Sequence, residues 1–106
     1  MAHPTRDPVD AYVAVGANLG DAVASVQQAL AGLAQLPHTE LIAASSLYRS
    51  APWQALGPSF INAVAHIRTA LSAPDLLAAL HLFEQSAGRV RSQQNSPRTV
   101  DLDLIF

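Results

Sequence analysis

The chain has 106 residues, half of them hydrophobic and 13% charged, which predicts a single folded domain. The formal net charge of −2 gives no general attraction for nucleic acid or anionic lipid, and the absence of cysteine excludes disulfides and thiolate zinc sites. No apolar run approaches the ~20 residues of a membrane span, and residues 1–10 lack the apolar stretch of a secretory signal. We therefore expect a cytoplasmic protein with a flexible tail at residues 1–10 and one domain at residues 11–106.

The first half of the sequence predicts a strand, a helix and a second extended segment. Residues 11–15 are a short apolar run, closed by a turn that begins at Gly16. Gly16 is then a turn residue rather than a nucleotide-binding glycine. From Asp21 apolar residues recur at spacings of three and four, which predicts a helix that Pro37 stops. Residues 40–48 have an extended pattern.

The second half predicts a loop, a strand, a helix and a final strand. Three breakers, Pro52, Gly57 and Pro58, indicate a loop over residues 50–58. Residues 60–69 alternate between two faces, and one face carries Phe60, Asn62, Val64, His66 and Arg68. A cap at Ser72 and a stop at Gly88 bound a helix near residues 73–87. A polar segment then leads to a strand over residues 100–106.

This order, strand, helix, strand, strand, helix, strand, is typical of the ferredoxin-like βαββαβ arrangement of the α+β class. We expect a four-stranded antiparallel sheet with both helices, near residues 21–36 and 73–87, packed on one face. The opposite face of the sheet is then left uncovered by residues 1–106.

An acidic pair lies in the final strand, where Asp101 and Asp103 alternate with apolar residues. Side chains two positions apart on a strand share a face, so the two carboxylates point the same way. Mg²⁺ favours such hard oxygen ligands and keeps positions open for water and phosphate. An edge strand that merely exposes two aspartates is the alternative.

All six basic residues are arginines, and Arg89, Arg91 and Arg98 fall within ten residues just before the acidic pair. A guanidinium can contact a phosphate through two hydrogen bonds, so these residues indicate anion binding. A solvated loop that is rich in arginine by chance is the alternative.

Three segments resemble the 6-hydroxymethyl-7,8-dihydropterin pyrophosphokinases, the folate-pathway family that moves a diphosphate from ATP to a pterin alcohol. They are Ala-Val-Gly-Ala-Asn-Leu-Gly-Asp at 14–21, Ser-Leu-Tyr-Arg-Ser-Ala-Pro at 46–52, and Gly-Arg-Val-Arg at 88–91 leading to Pro-Arg-Thr-Val-Asp-Leu-Asp at 97–103. The last is the most specific of the three. The likeness runs from about Tyr12 to Phe106.

The resemblance implies roles for individual residues. Asp101 and Asp103 would be ligands of two Mg²⁺ ions that bridge the ATP phosphates, and Arg89 and Arg98 would bind the triphosphate and stabilise its transition state. Positions matching the nucleotide site are His81, Glu84, Arg91 and Leu104. Positions matching the pterin site are Ser50, Ala51, Trp53, Phe60 and Asn62.

Several of these residues also have plainer interpretations. Phe60 is equally a core residue of a strand, and Asn62 an ordinary solvent-facing one. A histidine placed like His81 is more often a surface residue of its helix than a ligand. A non-catalytic ferredoxin-like domain that binds a small ligand or partner is therefore the alternative function, whereas an RNA-binding sheet is disfavoured by the negative charge and the six scattered aromatics.

The family's members continue beyond the acidic strand with further residues for the triphosphate and the pterin. We therefore expect residues 1–106 alone to be a weak or inactive kinase, and their uncovered sheet face to favour self-association. The polar segment between Gly88 and Thr99 is expected to be mobile without nucleotide and to close over the phosphates when ATP binds.

Overall fold

A computed structural model describes residues 7–51, 59–89 and 100–105. They form five strands and two helices, with the bounds β1 (Val9–Ala17), α1 (Ala22–Leu33), β2 (Thr39–Ala44), β3 (Tyr48–Ser50), β4 (Phe60–Thr69), α2 (Ala73–Arg89) and β5 (Val100–Leu104). In the described ranges, neither helix is long and apolar enough to cross a membrane.

All strand pairs are antiparallel, and the sheet order is β2-β4-β1-β5, with β3 pairing with β4. The two longest strands, β1 and β4, therefore lie at the centre of the sheet. This is the predicted ferredoxin-like α+β arrangement, and the fold prediction is confirmed.

Both helices pack on the same face of the sheet. Alternate residues of the central strands are buried there, and Val13, Ala65 and Ile67 have no exposed surface. The helices contribute Val26, Ala29, Leu33, Leu76 and Leu80 to this core. Burial of these side chains is the main stabilising contribution to the fold, at about 25 cal/mol per Å² of apolar surface. The other face of the sheet carries the half-buried and exposed residues of each strand.

The sheet has five strands rather than the predicted four, because the second extended segment is divided. β2 and β3 both pair with β4, and residues 45–47 separate them. At the break, Ser45 bonds Val64 twice: its backbone N–H donates to the Val64 carbonyl, and its Oγ accepts from the Val64 N–H, both at 2.9 Å. A side-chain oxygen thus replaces a backbone acceptor where the strand is interrupted.

The helix starts agree with the sequence, and the ends differ by a few residues. Asp21 accepts a hydrogen bond from the Ala24 N–H at 3.1 Å, and Ser72 accepts one from the Asp75 N–H at 3.2 Å. α1 ends at Leu33 because the next turn has hydrogen bonds of the 3₁₀ type, from the Gln35 N–H to the Gly32 carbonyl and from the Leu36 N–H to the Leu33 carbonyl. α2 continues through Gly88 to Arg89, so Gly88 does not end it as predicted.

The two helices touch through a glycine. A Cβ placed on Gly32 of α1 would lie 2.3 Å from Cε2 of Phe83 in α2. Phe83 is half-buried and packs against the core. Gly32 therefore lets the aromatic ring approach the backbone of α1.

Candidate active site

A shallow pocket of about 180 Å³ opens on the helix-free face of the sheet. It is lined by residues of β1, β4 and β5, namely Ala14, Val15, Gly16, Phe60, Asn62, Asp101 and Asp103. Four of these residues, Phe60, Asn62, Asp101 and Asp103, were predicted from the sequence as site residues. The fold therefore brings together side chains that are about 40 positions apart in the sequence.

Strand register produces this arrangement. Gly16 of β1 lies opposite Asn62 of β4 on one side and opposite Asp101 of β5 on the other. Ala14, two residues earlier on the same face, lies opposite Asp103. The Asn62 amide and the two carboxylates therefore face the same pocket from opposite sides of β1. Between them β1 presents only the small residues Ala14 and Gly16.

Gly16 lies inside β1, whereas the sequence predicted it to begin a turn. The strand continues to Ala17 because the apolar alternation of Val13 and Val15 extends one further step, to the buried Ala17. A Cβ on Gly16 would lie 3.2 Å from Oδ1 of Asn62. Gly16 is thus a wall of the pocket that leaves room for the Asn62 amide.

The Asn62 side chain is held by β3. Its Nδ2 donates a hydrogen bond to Oγ of Ser50 at 2.8 Å. Ser50 lies opposite Phe60, and Tyr48 lies opposite Asn62, so the short strand β3 runs beside the two β4 residues that line the pocket. Ala51 follows β3 and is exposed. The contact fixes the amide plane relative to the sheet.

Asp101 and Asp103 are both exposed on the open face, while Val100 and Leu102 between and beside them are buried. The predicted alternation of the final strand is confirmed. Two exposed carboxylates, which form no ion pair with another described residue, make a donor set that fits Mg²⁺. Within the described ranges, no third histidine or acidic residue joins them in a cluster that could hold a metal.

The remaining described candidates lie away from the pocket. His81 is exposed on α2. Glu84, one turn later, is half-buried and accepts a hydrogen bond from the backbone N–H of Leu102 at 2.7 Å. Leu104 packs against the core on the face opposite the two aspartates. A nucleotide role for these three residues stays a prediction.

Four candidates cannot be located by their side chains. Trp53, Arg91 and Arg98 lie outside the described residues. Arg89 is the last residue of α2, and only its backbone belongs to the described part. The expected mobile loop between Gly88 and Thr99 falls largely outside the described residues as well.

A second depression of about 280 Å³ lies on the same open face, beside β2. Tyr12 and His66 stack there with ring centroids 4.8 Å apart. Asp10 lies 3.1 Å from Nε2 of His66 and 3.7 Å from Nη1 of Arg68. This cluster is separate from the acidic pair.

The family described as 7,8-dihydro-6-hydroxymethylpterin-pyrophosphokinase (HPPK) matches residues 12–106. The chain belongs to this family. The HPPK match includes every residue that lines the pocket and all of the candidate site residues predicted from the sequence.

HPPK relatives from three bacteria are similar to the chain. The Pseudomonas aeruginosa and Haemophilus influenzae proteins, both named 2-amino-4-hydroxy-6-hydroxymethyldihydropteridine pyrophosphokinase, are 45% and 42% identical over 90% and 92% of this chain. The chain spans 59% and 62% of their lengths. A Pseudomonas putida protein of the same name is 40% identical, and the match covers 92% of this chain and 82% of that one.

Among solved structures, a Bacillus subtilis dinuclear metal-binding peptidase resembles the chain with a TM-score of 0.58. The match covers 99% of this chain and 28% of the peptidase, at 10% identity. Such a likeness shows the fold alone.

Two features of the HPPK pocket were missed from the sequence. One is the position of Gly16 between Asn62 and Asp101, which extending the apolar alternation of β1 to Ala17 would have indicated. The other is the hydrogen bond of the Ser50 hydroxyl to Asn62. No local pattern signals it, because it joins two strands of different sequence segments.

Proposed function

We propose that the protein transfers a diphosphate from ATP to 6-hydroxymethyl-7,8-dihydropterin, giving AMP and the pterin diphosphate of folate biosynthesis. The observation that carries this proposal is the single pocket that joins Asp101 and Asp103 to Phe60 and Asn62. Membership of the HPPK family and the names of its relatives support the same reaction.

The pterin half of the proposal rests on β3 and β4. A flat heterocycle needs an apolar wall and a few placed hydrogen-bonding groups. Phe60 supplies an aromatic side chain at the pocket, and Asn62 supplies an amide that is held by Ser50. The described pocket is smaller than the ~300 Å³ at the lower end of typical ligand sites, so we propose that these residues form one wall of the pterin site.

The nucleotide half rests on the acidic pair. Transfer of a phosphate group requires mainly positioning and stabilisation of spread negative charge, and no covalent nucleophile. Asp101 and Asp103 would hold the Mg²⁺ ions, of which we propose two. Bound Mg²⁺ would neutralise charge on the ATP phosphates. We propose that Arg89 and Arg98 bind the triphosphate, with Arg91 in support, on the basis of their place in the sequence motif.

Three further expectations remain proposals. ATP and the pterin alcohol are the proposed partners, and a cytoplasmic location fits a chain without cysteine. Self-association of residues 1–106 through the open sheet face stays a prediction. Tyr12 is 40% exposed on that face, and light scattering on this fragment tests the point directly.

The reaction is tested with the longest form of the protein that its gene encodes, supplied with ATP, Mg²⁺ and the pterin alcohol. We expect AMP to appear only when all three are present, and its amount to equal that of the pterin diphosphate. ATP-independent binding of the pterin with no AMP release would instead support a non-catalytic binding domain.

A further inference from the structure

The contact between Glu84 and Leu102 joins α2 to the strand that carries both aspartates. β5 is an edge strand that pairs only with β1 among the described strands. The Leu102 N–H bonds to the Glu84 carboxylate at 2.7 Å rather than to a second strand. A backbone donor on a sheet edge otherwise exchanges its hydrogen bond with water.

Leu102 lies between Asp101 and Asp103, so this one bond acts on the middle of the acidic pair. Its length is that of a charge-assisted hydrogen bond, which is about twice as strong as a neutral one. β5 is therefore held along both edges: β1 pairs with it on one side, and Glu84 bonds the Leu102 N–H on the other.

Glu84 approaches from the helix side of the sheet, whereas the aspartate side chains point to the open face. It is half-buried, and it forms no cluster of metal-binding groups with the two aspartates in the described part of the chain. One of its carboxylate oxygens, Oε2, accepts from the Leu102 N–H. These observations indicate that Glu84 acts on the β5 backbone rather than by direct contact with a metal ion or phosphate.

We propose that Glu84 is a positioning residue that fixes the backbone of β5 between Asp101 and Asp103, and so sets the spacing at which the two carboxylates receive Mg²⁺ and ATP. This inference rests on the proposed function. It assigns Glu84 the role of a hydrogen-bond acceptor, in which its negative charge is not itself required at the phosphates.

Two substitutions separate the acceptor from the charge. Glu84→Gln keeps an oxygen that can accept from Leu102, whereas Glu84→Ala removes it. Gln85→Ala, at an exposed neighbouring position of α2, is the matched control. All variants are made in the longest encoded form of the protein, and thermal unfolding reports whether each is folded.

The first readout is hydrogen exchange of the Leu102 amide, measured by NMR without nucleotide. The second is the affinity for ATP in the presence of Mg²⁺, measured by calorimetry. We expect Glu84→Ala to accelerate Leu102 exchange and to weaken ATP binding, each by about tenfold or more. Gln85→Ala should stay within about threefold of the native protein in both, and Glu84→Gln, which keeps a neutral acceptor, should lie between the native protein and Glu84→Ala.

Two outcomes would overturn the proposal. Unchanged Leu102 exchange in Glu84→Ala means that the bond does not hold the strand. Loss of ATP binding in Glu84→Gln with Leu102 still protected means that the charge of Glu84 acts on metal or nucleotide. If Glu84→Ala does not fold, Glu84→Gln provides the test: faster Leu102 exchange together with weaker ATP binding supports the proposal, and weaker ATP binding with Leu102 still protected overturns it. Failure of the native protein to bind ATP with Mg²⁺ would contradict the proposed function but leave the exchange result intact.

Discussion

Gly16 and Asn62 face each other across β1 and β4, and the space that a Cβ would fill at Gly16 is bordered by Oδ1 of Asn62 at 3.2 Å. The amide cannot easily move away, because its Nδ2 is bonded to Ser50. The lack of a side chain at Gly16 and the orientation of the Asn62 side chain on the neighbouring strand are therefore linked.

Gly16→Ala should weaken pterin binding with little loss of stability. The new methyl group requires Asn62 to shift by a few tenths of an ångström, at a cost of about 0.5–1.5 kcal/mol, or up to roughly tenfold in Kd. Calorimetry with the pterin alcohol measures the affinity, and thermal unfolding measures the stability. Unaltered pterin affinity would show that the Asn62 position is not important for binding.

Gly32→Ala should do the opposite and lower stability without changing pterin binding. The added methyl group would overlap the ring of Phe83, and such overpacking costs about 1–3 kcal/mol, partly offset by the ~1 kcal/mol gain in helix propensity. We expect net destabilisation of about 1 kcal/mol, measured by denaturant unfolding. Pterin affinity of the folded protein should be unchanged, because Gly32 lies on the helix side of the sheet.

Ser50→Ala removes the acceptor for Asn62 and should cost about 1 kcal/mol of pterin binding, roughly fivefold in Kd. Ser50→Thr keeps the hydroxyl and is the matched control. Equal affinities for all three proteins, again by calorimetry, would mean that Asn62 is held by other contacts.

The strand and helix order was predictable because apolar residues alternate in the strands and recur every three to four positions in the helices. The acidic pair was predictable for the same reason, since Asp101 and Asp103 occupy alternate positions of one strand. The interruption between β2 and β3 was not, because it depends on Ser45 bonding Val64 of a distant strand. Contacts between elements that are distant in the sequence, such as that of Glu84 with Leu102, likewise have no local signature.

Asp101→Asn and Asp103→Asn should each abolish Mg²⁺-dependent ATP binding while the fold stays intact. Loss of a direct ligand should exceed the ~10–100-fold loss that is typical for its outer-shell partners. Asp10→Asn is the control, because this substitution removes the same charge from β1 at a position roughly 20 Å from Gly16. Calorimetry with and without Mg²⁺ gives the comparison, and unchanged ATP binding in both site variants would refute the metal role.

Arg98→Ala should lower turnover far more than it weakens pterin binding. Loss of a contact that stabilises transition-state charge typically costs ~3 kcal/mol or more. Arg68→Ala, on the strand end near Asp10, is the control for a loss of positive charge. Comparable losses in turnover and in pterin affinity would argue against a transition-state role for Arg98.

The central claim is that two phosphates move together, and isotopic labelling of ATP tests it most directly. ATP is labelled in separate experiments at the β and the γ phosphorus and supplied with Mg²⁺ and the pterin alcohol to the longest encoded form of the protein. We expect both labels to appear on the pterin and the AMP to be unlabelled. Transfer of the γ label alone, with the β label retained in ADP, would contradict the account.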